Sequence, residues 1–495
     1  RAEMDARLPD TQAALAYLQI PELSQAEIVQ QVVGGSVTGD TGFGLPSAES
    51  NIQASFGLEY RRDEMTSIVD ATVQSGDGAG FGATQPLAGV SDVFELFGEA
   101  RIPVIEGAAF ADLLAIDLAY RYSDYSSGVT TDTYKIGGEW APVADLRFRA
   151  SLQQAVRAAN IIEQFAAQNL GLFNMAFDPC DSPVNGNNTN AAIGANCIGT
   201  APHQVTAAQS AGGALNSPAG QYNALFGGNP NVSPEESETR TFGVVFQPDF
   251  IPGLNVTVDY FDIEITGLIA VVGAASVVND CFSTANPTSC SKITRAPGTG
   301  QLWLGASQVV DLNTNIGGLT AKGYDINVNY QFDMGNAGSL GMQLIGTYVT
   351  EGITDPGAST GQAPYDCVGL HGIGCGVPTP EWRHRFRASW ETPWDLELTA
   401  TWRHIGEASL ANANGVLIPG RIDSVFDAEN YLDLSGNYSV FENTRLRFGV
   451  NNVFDNDPPI MDTNVQPPVL GNGNTYPQMY DTLGRWIFVG ATVDF

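Results

Sequence analysis

The stretch Ile52–Arg61, IQASFGLEYR, puts Ile52, Ala54, Phe56, Leu58 and Tyr60 at one parity and Gln53, Ser55, Gly57, Glu59 and Arg61 at the other. Side chains of a β-strand alternate between its two faces, so this segment is a strand with one apolar and one polar face. The pattern recurs outward along the chain. Leu146, Phe148, Ala150 and Leu152 alternate with Arg147, Arg149, Ser151 and Gln153; Leu396, Leu398, Ala400 and Trp402 with Glu397, Thr399, Thr401 and Arg403; and Leu446, Phe448 and Val450 with Arg445, Arg447, Gly449 and Asn451. A half-buried soluble sheet alternates too, so the connections must decide. Tight turns at 141–145, 248–253, 334–337, 393–395 and 441–443 interleave with long connections at 68–93, 158–235, 268–305, 353–380, 409–428 and 456–484, with 127–130 the one brief member of the second set. Short turns at one end and long loops at the other are the pattern of an outer-membrane barrel. The expected fold is all-β, a transmembrane antiparallel β-barrel with long extracellular loops.

Strands are expected at about 28–43, 51–66, 94–104, 114–126, 131–141, 145–157, 236–248, 254–267, 307–333, 338–352, 381–392, 395–408, 429–440, 444–454 and 485–495, fifteen in all. Bacterial barrels usually have an even number. With a periplasmic C-terminus, the odd number puts residues 1–27 outside the cell as part of an extracellular loop, and it makes 28–495 the C-terminal portion of a barrel whose earlier strands precede Arg1. The opening RAEMDAR has neither a basic segment followed by an apolar one nor a small-residue cleavage site, so any export signal is expected to be already removed.

Among 495 residues, Lys+Arg 22 against Asp+Glu 54 gives a net charge of −32, which argues against nucleic acid as a partner because phosphate contacts need clustered cations. The longest apolar run, Ile265 to Val278, is shorter than the roughly 20 residues of a membrane helix.

Four stretches resemble the TonB-dependent outer-membrane receptor family, over about residues 28 to 495. Leu446–Pro459, LRFGVNNVFDNDPP, is similar to the family's penultimate strand as it leaves the membrane. Arg147–Phe165, RFRASLQQAVRAANIIEQF, is similar to its strand-to-loop segment, with Ala159 where many members have Pro. Gly317–Phe332, GGLTAKGYDINVNYQF, resembles a long family strand, and Arg485–Phe495, RWIFVGATVDF, ends in the aromatic terminus typical of such barrels. The resemblance implies TonB-energised uptake of a scarce nutrient bound by the outer loops, in a barrel of about 22 strands with a plugged lumen. About seven strands, the plug and the TonB-contacting segment would then lie outside this chain. The alternatives are a passive porin of about 16 strands and a soluble all-β adhesin or enzyme.

Six cysteines fall as Cys180 with Cys197, Cys281 with Cys290, and Cys367 with Cys375, each pair within one long loop. Local disulfides are expected in an oxidising compartment, and zinc is disfavoured because no C-x₂-C spacing occurs. Gly357–Gly361, GASTG, matches the nucleophile elbow of hydrolases but sits in a loop and not between a strand and a helix. Of the four histidines, His203, His371, His384 and His404, the last two lie on strands beside arginines, so no enzyme is expected and no catalytic residue is assigned. Arg147, Arg149, Arg403, Arg445 and Arg447, with Glu59, Glu397 and Asp259, should face the lumen and pair with one another and with the plug. Ligand contacts are expected from Phe173, Phe177, Tyr222 and Phe226 with Asn185, Asn187, Asn188 and Asn190 in loop 158–235, and from Trp303; aromatic platforms with amides suit sugars or other neutral polar nutrients. Trp140 and Trp394 read as interface girdle. No cofactor is expected, although loop carboxylates could bridge through Ca²⁺ to lipopolysaccharide.

Overall fold

The computed structural model describes residues 19–76, 83–181, 196–357, 362–412, 414–462 and 474–494. The chain begins with β1 (Ser24–Asp40), β2 (Gln53–Val69), β3 (Leu87–Ala108), β4 (Ala111–Tyr125), β5 (Thr130–Val143) and β6 (Leu146–Arg157). An excursion holding β7 (Asn169–Asn174) and β8 (Gln221–Phe226) returns to β9 (Glu235–Phe246) and β10 (Leu254–Thr266). A second one carries β11 (Ile269–Ala270), β12 (Ile293–Thr294), β13 (Gln308–Val310) and β14 (Thr314–Asn315) before β15 (Gly318–Asp333) and β16 (Ser339–Asp355). Short β17 (Tyr365–Asp366) and β18 (Leu370–Gly372) precede β19 (Trp382–Glu391) and β20 (Leu396–Ile405). After β21 (Ala408–Ala411) and β22 (Val425–Phe426) come β23 (Glu429–Phe441), β24 (Thr444–Asn451) and β25 (Trp486–Val493). Among the described residues the α-helices are α1 (Ala71–Ser75), α2 (Ile161–Phe165), α3 (Ala207–Ala211), α4 (Ala274–Thr284) and α5 (Pro287–Ser291), and none of them is long and apolar enough to cross a membrane.

Among the described residues, fifteen long strands form one continuous wall in the order β1-β2-β3-β4-β5-β6-β9-β10-β15-β16-β19-β20-β23-β24-β25. Each pairs antiparallel with its neighbours, as hairpin connectivity dictates. Among the described residues β1 pairs only with β2 and β25 only with β24, so both carry a free edge. Directly opposed residues share a face, and the register keeps the alternation in phase around the wall. Phe148 faces Trp140 and Val244, and Arg149 faces Glu139 and Gly243. Glycines make room for large neighbours: a Cβ on Gly346 would meet the Trp382 ring, and one on Gly57 the ring of Phe97.

Among the described residues the apolar face has no protein against it. Phe56 is 67% exposed, Ile136 53%, Phe242 50% and Val489 78%. A large apolar side chain left in water forfeits about 1.5–3 kcal/mol. A belt of them would outweigh the ~5–15 kcal/mol that holds a domain folded. This face therefore meets lipid, and Trp140, Trp390 and Trp394 mark its short-turn border: Trp140 Nε1 donates to the Phe110 carbonyl (3.0 Å), and Trp390 and Trp394 meet edge to face. At the long-loop border of the same face, His384 and His404 stack and sit against Trp402.

The long loops are folded, which alternation within strands could not reveal. One cap joins the excursion 158–234 to 267–317 through the sheet β12-β13-β8-β7, in which β8 and β13 run parallel. Its core contains Val205, Leu215, Tyr222, Phe282, Leu302 and Val309. A second cap is built on β18-β21-β22 around Phe426, Met461, Tyr476 and Tyr480. The structure corrects the expected strand 307–333: the wall strand starts at Gly318, and 308–310 and 314–315 belong to the first cap, where Val309 is buried. A buried cap strand alternates like a wall strand, so the two were indistinguishable by period. β3 starts at Leu87, seven residues before the expected 94, and β1 starts at Ser24, inside the expected loop 1–27. Residues 1–18 lie outside the described residues.

Candidate functional site

The polar face of the wall is an ion-paired surface. Arg101 bonds Asp117 (3.2 Å) and Glu139 (2.5 Å), Arg147 reaches the same Glu139 (2.7 Å), and Arg149 clamps Asp259 through two nitrogens (2.8 and 2.6 Å). A carboxylate shared between two guanidiniums cross-links three strands, β3, β5 and β6, by charge-assisted hydrogen bonds. Of these residues Asp117, Glu139, Arg149 and Asp259 border a cavity of 510 Å³ that Asp325 and Lys135 also line. Further along, Arg387 approaches Glu397 (3.6 Å), and Arg403 bonds Asp433 (2.8 Å) and Asp481 (3.1 Å) while lying over the Tyr431 ring. Glu59 pairs with Arg61. Of the arginines assigned to this face from sequence, Arg147, Arg149 and Arg403 have carboxylate partners, Arg447 lies over Phe488, and Arg445 borders a pocket with Glu391 and Glu397.

Nearer the long-loop end, a second cavity of 460 Å³ opens beneath the first cap. Ile28, Met65 and Val93 give it apolar walls; Arg61, Asp63, Tyr125 and Arg157 give it polar ones. Its roof is α2, whose start is secured by a capping box: Asn160 Oδ1 accepts from the Glu163 amide, and the Glu163 carboxylate accepts from the Asn160 amide. Arg157 ties this roof to the wall by pairing with Glu163 (2.9 Å) and Glu235 (2.6 Å). Glu235 also accepts from the Ile269 amide, so one ionic knot joins β6, α2, β9 and the second excursion. An apolar floor with paired charges at its rim can hold an amphipathic small molecule, oriented by its polar end.

The expected ligand platform is largely internal. Tyr222 is completely buried, with Phe173 tilted against it at 5.8 Å, and Phe226 and Trp303 pack on the same core, where Trp303 Nε1 donates to the Leu215 carbonyl (3.1 Å). A ring closed inside a core offers no surface to a ligand, so the Tyr222 assignment is corrected; only Phe177, at 41%, is exposed. Asn185, Asn187, Asn188 and Asn190 lie outside the described residues, as do 358–361 of the GASTG motif. All three disulfides form between the expected partners. His203 approaches Cys281 and Cys290, but those sulfurs are bonded to each other and have no thiolate to offer a metal.

Several residues were not anticipated. Arg295, buried in the first cap, holds Asp178 with two nitrogens (2.7 and 2.9 Å) and also donates to the carbonyls of His203 and Gly300, binding the two excursions together. His371, fully buried in the second cap, stacks on Phe426 at 4.0 Å, and burial lowers its pKa to about 4. Arg383, Arg385 and Arg387 stand at alternate, polar-face positions of β19. The alternation in RHRFR was visible in the sequence; the burial of Arg295 and His371 was not.

A family model described as TonB dependent receptor-like, beta-barrel, matches residues 13–453. Solved structures of similar fold include the ferric enterobactin receptor of Pseudomonas aeruginosa, at 15% identity and a TM-score of 0.61 over 95% of this chain and 55% of that one. The siderophore receptor PirA of Acinetobacter baumannii aligns at 14% identity, TM-score 0.57, over 95% and 55%. The copper transporter OprC aligns at 14%, 0.52, over 95% and 59%. The chain thus spans little more than half the length of these structures, and at such identities the likeness is one of fold. No curated protein matches it in sequence.

Proposed function

Because the chain belongs to the family of TonB-dependent receptor β-barrels, we propose that it is the major part of the wall of an outer-membrane receptor of a Gram-negative bacterium that takes up a scarce nutrient with energy supplied through TonB. The observation that carries this reading is a pair of folded, disulfide-braced caps over one end of a lipid-facing wall, with a cavity between cap and wall. Loops that only fenced a pore would not need hydrophobic cores of their own. Braced caps lose little entropy on gripping a ligand, which favours capture at low concentration. On this reading the caps are extracellular, the short turns periplasmic, and the exposed Phe177 with Asn187 and Asn188 a neutral contribution to ligand contact.

The edges of β1 and β25 are where the remaining strands, about seven in a family barrel of 22, would pair, whether they are carried by the same polypeptide or by another fragment. An N-terminal plug would meet the ion-paired polar face, and TonB would act through that plug. Arg445 and Arg447 at the short-turn end are candidates for plug contact. Lipopolysaccharide would meet the apolar face, with Ca²⁺ a possible bridge at loop carboxylates. A porin needs neither caps nor energy. The test is uptake by cells that express the receptor, with and without a protonophore, beside conductance of the purified protein in a planar bilayer. Proton-gradient-dependent uptake with no steady conductance supports the receptor; steady conductance with uptake indifferent to the protonophore overturns it.

A further inference from the structure

The Cys281–Cys290 bridge of the first cap sits in a setting that does not depend on it. Cys281 lies in the last turn of α4 and Cys290 in α5, and the buried Asp280 carboxylate fastens the corner between the two helices. That carboxylate accepts from the Thr284 hydroxyl (2.9 Å), the Asn286 side-chain amide (2.7 Å) and the Ser289 hydroxyl (2.6 Å). Hydrogen bonds to an ionised acceptor are strong ones. They survive reduction of the bridge, so the two sulfurs stay side by side when the covalent link is gone. A third donor faces them from the other excursion: the ligand atoms of His203, Cys281 and Cys290 all lie within 4.8 Å of one another. The His203 carbonyl accepts from Arg295 Nε (2.7 Å), and its ring is tilted against Phe282 at 6.2 Å. The neighbouring chain is fixed as well, because the Arg295 amide donates to the Pro202 carbonyl (3.0 Å) and Asn196 Nδ2 to the Phe282 carbonyl (2.9 Å). None of these contacts involves a sulfur. Among the described residues neither Cys180–Cys197 nor Cys367–Cys375 has a third ligand atom so placed.

We propose that Cys281, Cys290 and His203 form, once the bridge is reduced, a site for a thiophilic divalent cation of the zinc class, so that the first cap exchanges its disulfide for a metal brace. Ligand atoms around tetrahedral zinc lie roughly 3.5–3.8 Å apart at bonds of about 2.0–2.3 Å. Release of the sulfur–sulfur bond lets the sulfurs part to that spacing, and the imidazole has on the order of 1 Å to close. The fourth position is left to water, as at zinc sites with three protein ligands. Reduction consumes two equivalents of a small thiol, which leave as their own disulfide. Cys281 and Cys290 become thiols, each of which gives its proton to solvent as the cation binds, and the neutral imidazole binds through a nitrogen lone pair. Cys281 is completely buried and His203 half-buried, so the bound cation is shielded from competing water ligands. The oxidised cap is braced by the covalent bond and the reduced, metal-bound cap by two thiolates and an imidazole. Only the reduced, metal-free cap is loose. The device keeps the cap folded in thiol-rich surroundings wherever such a cation is present.

This site does not rest on the uptake reading, and it is tested on the full chain in detergent. The protein is reduced with a phosphine, which offers no thiolate of its own. Co²⁺ is then titrated without oxygen while the charge-transfer absorption of cobalt–thiolate bonds is followed. The proteins are wild type, Cys281→Ser/Cys290→Ser, His203→Gln, and Cys367→Ser/Cys375→Ser as a control in the second cap; heat-modifiable migration checks that each wall is folded. Reduced wild type and the control are expected to show the absorption and to lose it when Zn²⁺ displaces Co²⁺. Oxidised wild type and the reduced Cys281→Ser/Cys290→Ser protein should not show it, and His203→Gln should bind Co²⁺ at least about tenfold more weakly. Zn²⁺ should also return protease resistance to the reduced first cap of wild type but not to that of His203→Gln. Absence of the absorption from reduced wild type, whether or not its cap has opened, overturns the site. Equal binding by the Cys281→Ser/Cys290→Ser protein does so too, by placing the metal on the other thiols, and equal binding by His203→Gln does so by removing the imidazole from the ligand set.

Discussion

At the scale of single residues, the folded caps depend on polar groups placed where water cannot reach. Arg295 and Asp178 are both buried, and Arg295 also lies over the Phe282 ring. Removing one member of a buried pair strands the other charge, a loss of about 3–5 kcal/mol. Arg295→Met should therefore loosen the first cap, read as faster hydrogen exchange at 292–301 and 196–205, with the wall unaffected; unchanged exchange there would mean that the ion pair does not hold the two excursions together. His371 makes the second cap sensitive to acid. Among the described residues both its ring nitrogens lack a hydrogen-bond partner, and it is enclosed by Phe426 and Tyr476, with Asp423, itself held to about 2 by Arg421, the charge that opposes the shift. Its folded pKa of about 4 is below the ordinary 6.5, so the unfolded cap binds the proton more readily. Stability is then full above pH 6.5 and declines as pH falls toward 4, by about 3 kcal/mol at the lower limit. Exchange at 367–379, corrected for intrinsic rates, should rise with acid in wild type and not in His371→Phe; the same rise in both would place the acid response elsewhere.

At the scale of elements, the caps are held by local staples. Cys180–Cys197 spans 17 residues and Cys281–Cys290 nine, and the second joins α4 to α5. A bridge closing a loop of about 15 residues contributes about 3 kcal/mol in the chain-entropy account. Cys180→Ser/Cys197→Ser should leave the wall intact but make the first cap open to proteolysis under native conditions, and mild reduction of wild type should have the same effect. Equal protease resistance in the two proteins would show that the mixed sheet and Arg295 suffice. Element by element, the wall was legible because each strand states its faces through its own period: among the described residues the wall has the expected fifteen, and the expected tight turns mark its hairpins, with β5 running on to Val143 and β23 to Phe441. The caps were not legible. Their strands have two to six residues and are paired by contacts between distant loops, including the parallel β8–β13 match, which no local period encodes.

At the scale of the molecule, the two faces of the wall divide the environment. Ile136 is mid-strand on the apolar face, 53% exposed, and Lys135 beside it faces the other way. A cation at bilayer depth on a lipid-facing position costs about 2–4 kcal/mol. Ile136→Arg should lower stability by that amount in urea titration from lipid vesicles, whereas Lys135→Gln should change it little. Equal effects of the two substitutions would mean that the apolar face is not in lipid. The wall also sorts its charges: among the described residues carboxylates accompany the arginines from β2 to β10, but not Arg383 and Arg385 of β19.

The sequence by itself determined the strand number, the two faces, the alternation of short and long connections and the pairing of neighbouring cysteines, because each follows from residues close together in the chain. Only the tertiary structure decided that the long loops are packed caps, that Tyr222, Arg295 and His371 are buried in them, and which arginines of the wall meet carboxylates. Burial and charge compensation depend on what lies opposite a side chain in space, and that is set by the register of distant segments, which no stretch of sequence contains.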